Sequence, residues 1–225
     1  MTLRASVVMD YQNVHLTARD VFMPGADAHL ALIHPVRFAR RAVAERNSRQ
    51  RPGYPDAEVG RILVYRGLPH VDYATEQHRR CVDQARQWER DGATIELRDL
   101  KYRIKYGADG NPVLDINGKK IPHDTGREKG IDVLVALACV REAQKQDTDL
   151  VILASRDTDL VPVLDEVCDL ARAEPDRVAR IETVSWFERG TRSYGSLKPT
   201  SPRKIWNTNL GRRCFDASLD PNDYS

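Results

Sequence analysis

The order of apolar and polar positions along the chain predicts strands and helices in alternation. Residues 5–9 (A-S-V-V-M) form a short apolar run that ends in the polar cluster Asp10-Tyr11-Gln12-Asn13. A buried parallel strand delivers side chains to its carboxyl rim in this way. Residues 14–21 read as a short helix broken at Pro24-Gly25. Residues 34–49 read as an amphipathic helix with Pro35 in its first turn. A second strand is expected at residues 61–65, then a helix over 73–90 closed by Asp91-Gly92, then a third strand at 94–97. Residues 101–105 and 113–116 flank a turn at Asp109-Gly110-Asn111-Pro112, which is a hairpin signal. The helical period is clearest over residues 129–145. Residues 149–154 (D-L-V-I-L-A) have almost no polar content, as expected of a strand covered on both sides. A turn at 155–159, a helix to about residue 173 and a fifth strand at 178–186 follow. Beyond residue 190 the chain is rich in Gly, Ser, Pro, Asn and Arg, and one more short strand near Ile205-Trp206 and an irregular tail are expected.

This alternation implies an α/β fold, a Rossmann-like parallel sheet with helices on both faces and an inserted β-hairpin at about residues 99–118. Residues 1–189 are expected to form the main domain, and residues 190–225 a partly irregular C-terminal extension. Ligands of open parallel sheets bind beyond the carboxyl ends of the strands. Asp10 and the turn at 155–159 each follow a strand directly and so fall on that rim.

Composition adjusts this picture at few points. A chain of 225 residues with 41% hydrophobic content supplies one sizeable core. The formal net charge of +2 does not by itself argue for a nucleic-acid partner, and the local distribution of charge matters more. No apolar stretch reaches bilayer length, so no membrane partner is expected, and the first nine residues lack the features of a signal peptide. Cys81, Cys139, Cys168 and Cys214 form no CxxC pair and have no histidine at ligand spacing. They read as reduced thiols in a cytoplasmic protein. Apolar helix faces serve cores and dimers alike, which leaves a homodimer open.

Each candidate acid has an ordinary reading on its own. Asp10 suits a turn or helix cap, Asp132 complements a helix dipole, and Asp157 or Asp159 could cap the helix containing Pro162. Four carboxylates on one rim, however, would repel one another unless a cation lay between them. Mg²⁺ or Mn²⁺ suits such a hard oxygen set and supports metal-assisted phosphodiester hydrolysis. Asn13, three residues after Asp10, is placed to hydrogen-bond near the ion or substrate. There is no Ser/His/Asp elbow and no GxxxxGK[ST] loop. An aspartyl phosphatase reading of Asp10 meets Gln12 where the second acid commonly stands.

The segments V-V-M-D-Y-Q-N (residues 7–13), K-G-I-D-V-L-V-A-L (129–137) and L-A-S-R-D-T-D-L-V-P-V-L (153–164) resemble, in order and separation, the three signature blocks of NYN domains. These are PIN-like nucleases with a Rossmannoid sheet, and the resemblance extends over about residues 5–187. It implies a Mg²⁺- or Mn²⁺-dependent endoribonuclease whose metal site comprises Asp10, Asp132, Asp157 and Asp159. It puts Asn13 in the same pocket and Lys129 where it would neutralise phosphate. The chain departs from the family pattern at Arg156, usually glycine, and at Leu160, usually aromatic. Arg156 would either contact phosphate or partly fill the pocket. The second outcome motivates the alternative of a catalytically weak or inactive RNA-binding module of the same fold.

Among the basic runs, Lys101, Arg103 and Lys105, interleaved with Tyr102 and Tyr106, are the best candidates for RNA contact. Cations hold phosphates there while aromatics stack on unpaired bases. The other runs read as solvated faces, and His123 as a surface histidine.

Overall fold

β1 (Leu3–Asp10) and β4 (Leu150–Ala154) are the most thoroughly buried strands, and they lie side by side at the middle of the sheet. The computed structural model describes residues 2–190 and 195–224, so residues 191–194 of the expected extension lie outside the described residues. With β2 (Ala57–Leu68), β3 (Thr94–Asp99), β5 (Arg180–Trp186) and β6 (Asn207–Leu210), they form one six-stranded sheet in the order β3-β2-β1-β4-β5-β6. Every neighbouring pair is parallel. The fold is therefore α/β with a Rossmann-like parallel sheet. Its strand order reverses direction between β1 and β4, which opens a crevice at their carboxyl ends.

The helices are α1 (Tyr11–Phe22), α2 (Pro35–Arg49), α3 (Thr75–Arg90), α4 (Ile131–Ala143), α5 (Val161–Ala173) and α6 (Arg212–Ser218). On one face, Tyr11, Phe22, Phe38, Trp88, Trp186 and Phe215 fill the layer between the sheet and α1, α2, α6 and the end of α3. On the other, Ile131, Val135, Leu164 and Val167 of α4 and α5 pack against Val8, Val151 and Leu153. Among the described residues, no helix is long and apolar enough to cross a membrane. All four cysteines are unpaired, three of them buried.

The structure corrects three expectations. β2 is much longer than residues 61–65 because it pairs on both sides, with β1 and β3. Its polar Arg66 is accommodated by stacking over Tyr11, 4.7 Å from the ring centre. The last strand is Asn207–Leu210 rather than Ile205-Trp206, and the expected irregular tail contains α6, whose Phe215 stacks on Phe22 at 4.8 Å. The insertion is larger than one hairpin. It spans residues 101–127 in three passes joined by isolated antiparallel bridges, from Lys101↔Arg127 at its base to Leu114↔Lys120 at its far end. A second turn accounts for the extra pass: Asp115 accepts the backbone N–H groups of Asn117 and Lys119, each at 2.8 Å.

Candidate metal centre

Asp10 is the last residue of β1 and the N-cap of α1. The residue is 4% exposed, with Oδ1 accepting the Asn13 backbone N–H at 3.2 Å and Oδ2 accepting the Ser155 hydroxyl at 3.0 Å. Ser155 in turn accepts the Asp157 N–H at 3.1 Å, and Asp157 caps the short 3₁₀ turn Thr158–Leu160 by accepting the Asp159 N–H at 3.0 Å. Across the crevice, the Asn13 side-chain oxygen accepts the Arg156 N–H at 2.9 Å. These bonds tie the end of β1 to the end of β4 and hold both acidic side chains on one rim.

Asp132 arrives from α4, in its first turn. The helix is entered through Gly130 at φ +79°, a left-handed conformation that side-chain-bearing residues adopt only with strain. This entry accounts for the glycine of the K-G-I-D block. One oxygen from each of Asp10, Asp132 and Asp157 lies within 4.8 Å of the other two.

Burial pushes the Asp10 carboxyl up to about 6, against the hydrogen bonds from Asn13 and Ser155, and Asp132 and Asp157 add repulsion. Burial also raises Asp132, helped by Asp157 and Asp159. Burial is the main cause and like charges nearby reinforce it, and a bound cation would offset both.

A fourth carboxylate faces the same cleft and went unread in the sequence. Burial raises Glu128 to about 7, opposed by a hydrogen bond from the Gly67 N–H and reinforced by Asp10. That bond is 2.6 Å long, and the Gln12 amide, turned nitrogen-first, donates to both Glu128 oxygens at 2.9 Å. A Cβ at position 67 would lie 2.7 Å from the Glu128 Cγ and press on Leu100, so glycine is what permits the approach. The available signals were the position of Glu128, four residues before Asp132, and the polar Gln12 beside Asp10. Neither carries a distance in the sequence, and the Gly67 amide that holds Glu128 lies 61 positions away. Together Asp10, Gln12, Asn13, Glu128, Asp132 and Asp157 line a cleft of about 510 Å³, with Arg127 at the foot of the insertion on its wall.

Other sequence-predicted residues are not brought to this point. Asp159 is exposed, and its carboxylate is outside the group of three. The Arg156 guanidinium turns inward to the Trp186 carbonyl, away from the cleft. Arg156 thus does not line the acidic cleft, and its backbone is not left-handed, since among the described residues only glycines have positive φ. Lys129 is exposed beside the site without lining it. Lys101, Arg103 and Lys105 are exposed at alternate positions of the insertion. Tyr102 points the other way, packing on Tyr73 at 4.9 Å and accepting the His70 N–H at 3.1 Å. Of the two tyrosines expected to stack on bases, Tyr106, 64% exposed, is the one left open to solvent.

The donor set suits a hard divalent cation. It consists of carboxylate oxygens, one of them nearly inaccessible to water and disfavoured as a bare anion, with room in the cleft for further oxygen ligands.

No family model matches this chain, and no curated protein matches it. Among solved structures, it is similar to a crystal structure of a protein of unknown function from Vibrio parahaemolyticus RIMD 2210633. The two share 16% identity over 81% of each chain, with a TM-score of 0.41.

Proposed function

We propose that this protein is a Mg²⁺- or Mn²⁺-dependent endoribonuclease of the NYN, PIN-like kind, working in the cytoplasm. The observation that carries the reading is the meeting of Asp10, Asp132 and Asp157, from three separate elements, within 4.8 Å at the reversal of the sheet. Those three residues would hold the ion, with Asp159 outside its direct reach. A divalent ion there supplies charge stabilisation on a phosphoryl oxygen and orients a water for in-line attack.

The remaining work falls to the chain. The Asn13 N–H and the Ser155 hydroxyl keep the Asp10 carboxylate aimed into the cleft. Glu128, which faces the cleft with its Oε1 held by the Gly67 N–H, accepts at Oε2 the proton that the attacking water loses. Arg127 on the cleft wall, continuing into Lys101, Arg103 and Lys105 along the insertion, guides the RNA backbone. Alternate residues of an extended segment are about 6.6 Å apart, a spacing that suits successive phosphates of a single strand. The competing reading, an RNA-binding module with a filled pocket, depended on Arg156. Its side chain lies against the Trp186 carbonyl and leaves the cleft open.

Incubating single-stranded RNA with the protein in Mn²⁺, Mg²⁺ or EDTA tests the proposal, with Asp157→Asn as control. Cleavage should require the metal and disappear in the variant while its circular dichroism is unchanged. Cleavage that survives EDTA or the substitution, or RNA binding without any cleavage, would overturn it.

A further inference from the structure

We propose that a second groove, at the amino-terminal edge of the sheet, binds a nucleoside phosphate. This goes beyond RNA hydrolysis and does not rest on it. The groove lies where β1, β4 and β5 begin, at the edge opposite the carboxylates, and its volume is about 740 Å³. Concave, partly apolar sites of that size suit small ligands. The half-buried Cys168, Ala171 and Ile205 supply apolar surface, and two aromatic side chains line it: Tyr54, 56% exposed, and the half-buried Trp206.

The charges of the groove divide into two sets. Arg46 is buried and bidentate to Glu182 at 3.0 and 2.9 Å, and it also donates to the Pro55 carbonyl at 2.8 Å. That pair is a rigid frame whose charges cancel. Arg203 is likewise clamped to Asp169, with its Nε at 2.8 Å. Arg51, Arg180 and Lys204 form the second set. All three are exposed, line the groove and make no ion pair among the described residues.

Uncompensated cations around apolar surface with two aromatic rings match a ligand that has a dianionic phosphate and a flat, stackable base. The end of α2 beside the groove contributes a negative partial charge of about half an elementary charge, less than the three unpaired cations supply. The acidic cleft at the other edge has the opposite polarity and, without metal, repels such a ligand.

Trp88 and Trp186 are 0% and 2% exposed, so quenching of tryptophan fluorescence by added ligand reports on Trp206. AMP and UMP, titrated in EDTA against the full chain, should quench saturably. Adenosine and inorganic phosphate should each bind at least about tenfold more weakly. The paired Arg180→Glu, Lys204→Glu variant should weaken nucleotide binding by about tenfold or more while keeping the parent's circular dichroism and melting transition in EDTA. Trp206→Phe should abolish the signal, and Asp10→Asn should bind as the parent does. Absence of saturation, phosphate binding as tightly as AMP, quenching that survives Trp206→Phe, or loss of binding in Asp10→Asn would each overturn the proposal. Because the readout is nucleotide binding without metal, its failure leaves the nuclease reading untouched, and the reverse holds too.

Discussion

Replacing Asp10 by asparagine separates what this side chain does for the fold from what it does for a metal. Asparagine is a good helix N-cap. Its oxygen can keep the Asn13 N–H, and its amide can donate to the Ser155 oxygen where the carboxylate now accepts from it. The substitution removes the buried charge. Raising the carboxyl from 3.8 to about 6 corresponds to about 3 kcal/mol against the ionised form, an upper bound on the gain. We expect metal-free Asp10→Asn at pH 8 to be more stable than the parent by roughly 1–3 kcal/mol, or about 3–9 °C in melting temperature. Magnesium should cancel or reverse this advantage: at a hundredfold excess over its dissociation constant a ligand adds about 2.7 kcal/mol to a protein that binds it, and the variant forgoes most of this. Scanning calorimetry of both proteins in EDTA and across a Mg²⁺ titration, at pH 8 and again at pH 5, reads all of these terms. At the lower pH the parent holds most of its Asp10 proton, and its disadvantage should shrink. A variant that melts no higher than the parent in EDTA at pH 8, and that gains as much from Mg²⁺, would refute the reasoning.

The pH dependence has a definite sign. Between about pH 4 and pH 7 the folded state keeps protons on Asp10 and Glu128 that the unfolded chain has released, so metal-free stability should fall as pH rises through that window. Mg²⁺ displaces the same protons, so the Mg²⁺-induced shift in melting temperature should grow over that range, and a flat profile would contradict the assignment. Gly67→Ala should push Glu128 and Leu100 away, with a loss of about 1–3 kcal/mol in urea unfolding and a displaced lower limb of the pH–rate profile. An equally stable variant with an unchanged profile would mean that Glu128 has no role tied to this contact. Charge reversal of Lys101, Arg103 and Lys105 together should weaken RNA binding and lower the salt dependence by a slope of about 2, with the melting temperature unchanged because all three are exposed. Fluorescence anisotropy across a salt series measures the slope, and an unaltered value would remove the insertion from the RNA path.

α4 was legible in the sequence from its helical period, and the central strands because each is a mostly apolar segment with an abrupt polar end. Residues 5–9 followed by Asp10, and residues 149–154 followed by Ser155, put the two halves of the crevice on the same rim. α6 was not legible. Of its residues, Cys214 and Phe215 are the bulky buried pair, and a helix this short shows no period; contact with Phe22 and Trp186 gives it a place. The third pass of the insertion did carry a signal, Asn117-Gly118, which was overshadowed by the stronger Asp-Gly-Asn-Pro turn before it. Asp159 stands in the same motif as Asp157, yet the 3₁₀ turn rotates its carboxylate out of the group of three, an effect of local geometry that residue identity does not record. Glu128 became visible only when the fold brought the Gly67 amide to it from the end of β2.

The pairing of β1 with β4 has a consequence for the life of the chain. Asp10 and Ser155 are 145 positions apart, and the hydrogen bond between them forms only after the intervening segments have emerged and the middle of the sheet has closed. During synthesis the amino-terminal half therefore carries a lone aspartate with no partners from β4. Whatever the assembled carboxylates do is withheld from a nascent or prematurely terminated chain, and begins only when folding is nearly complete.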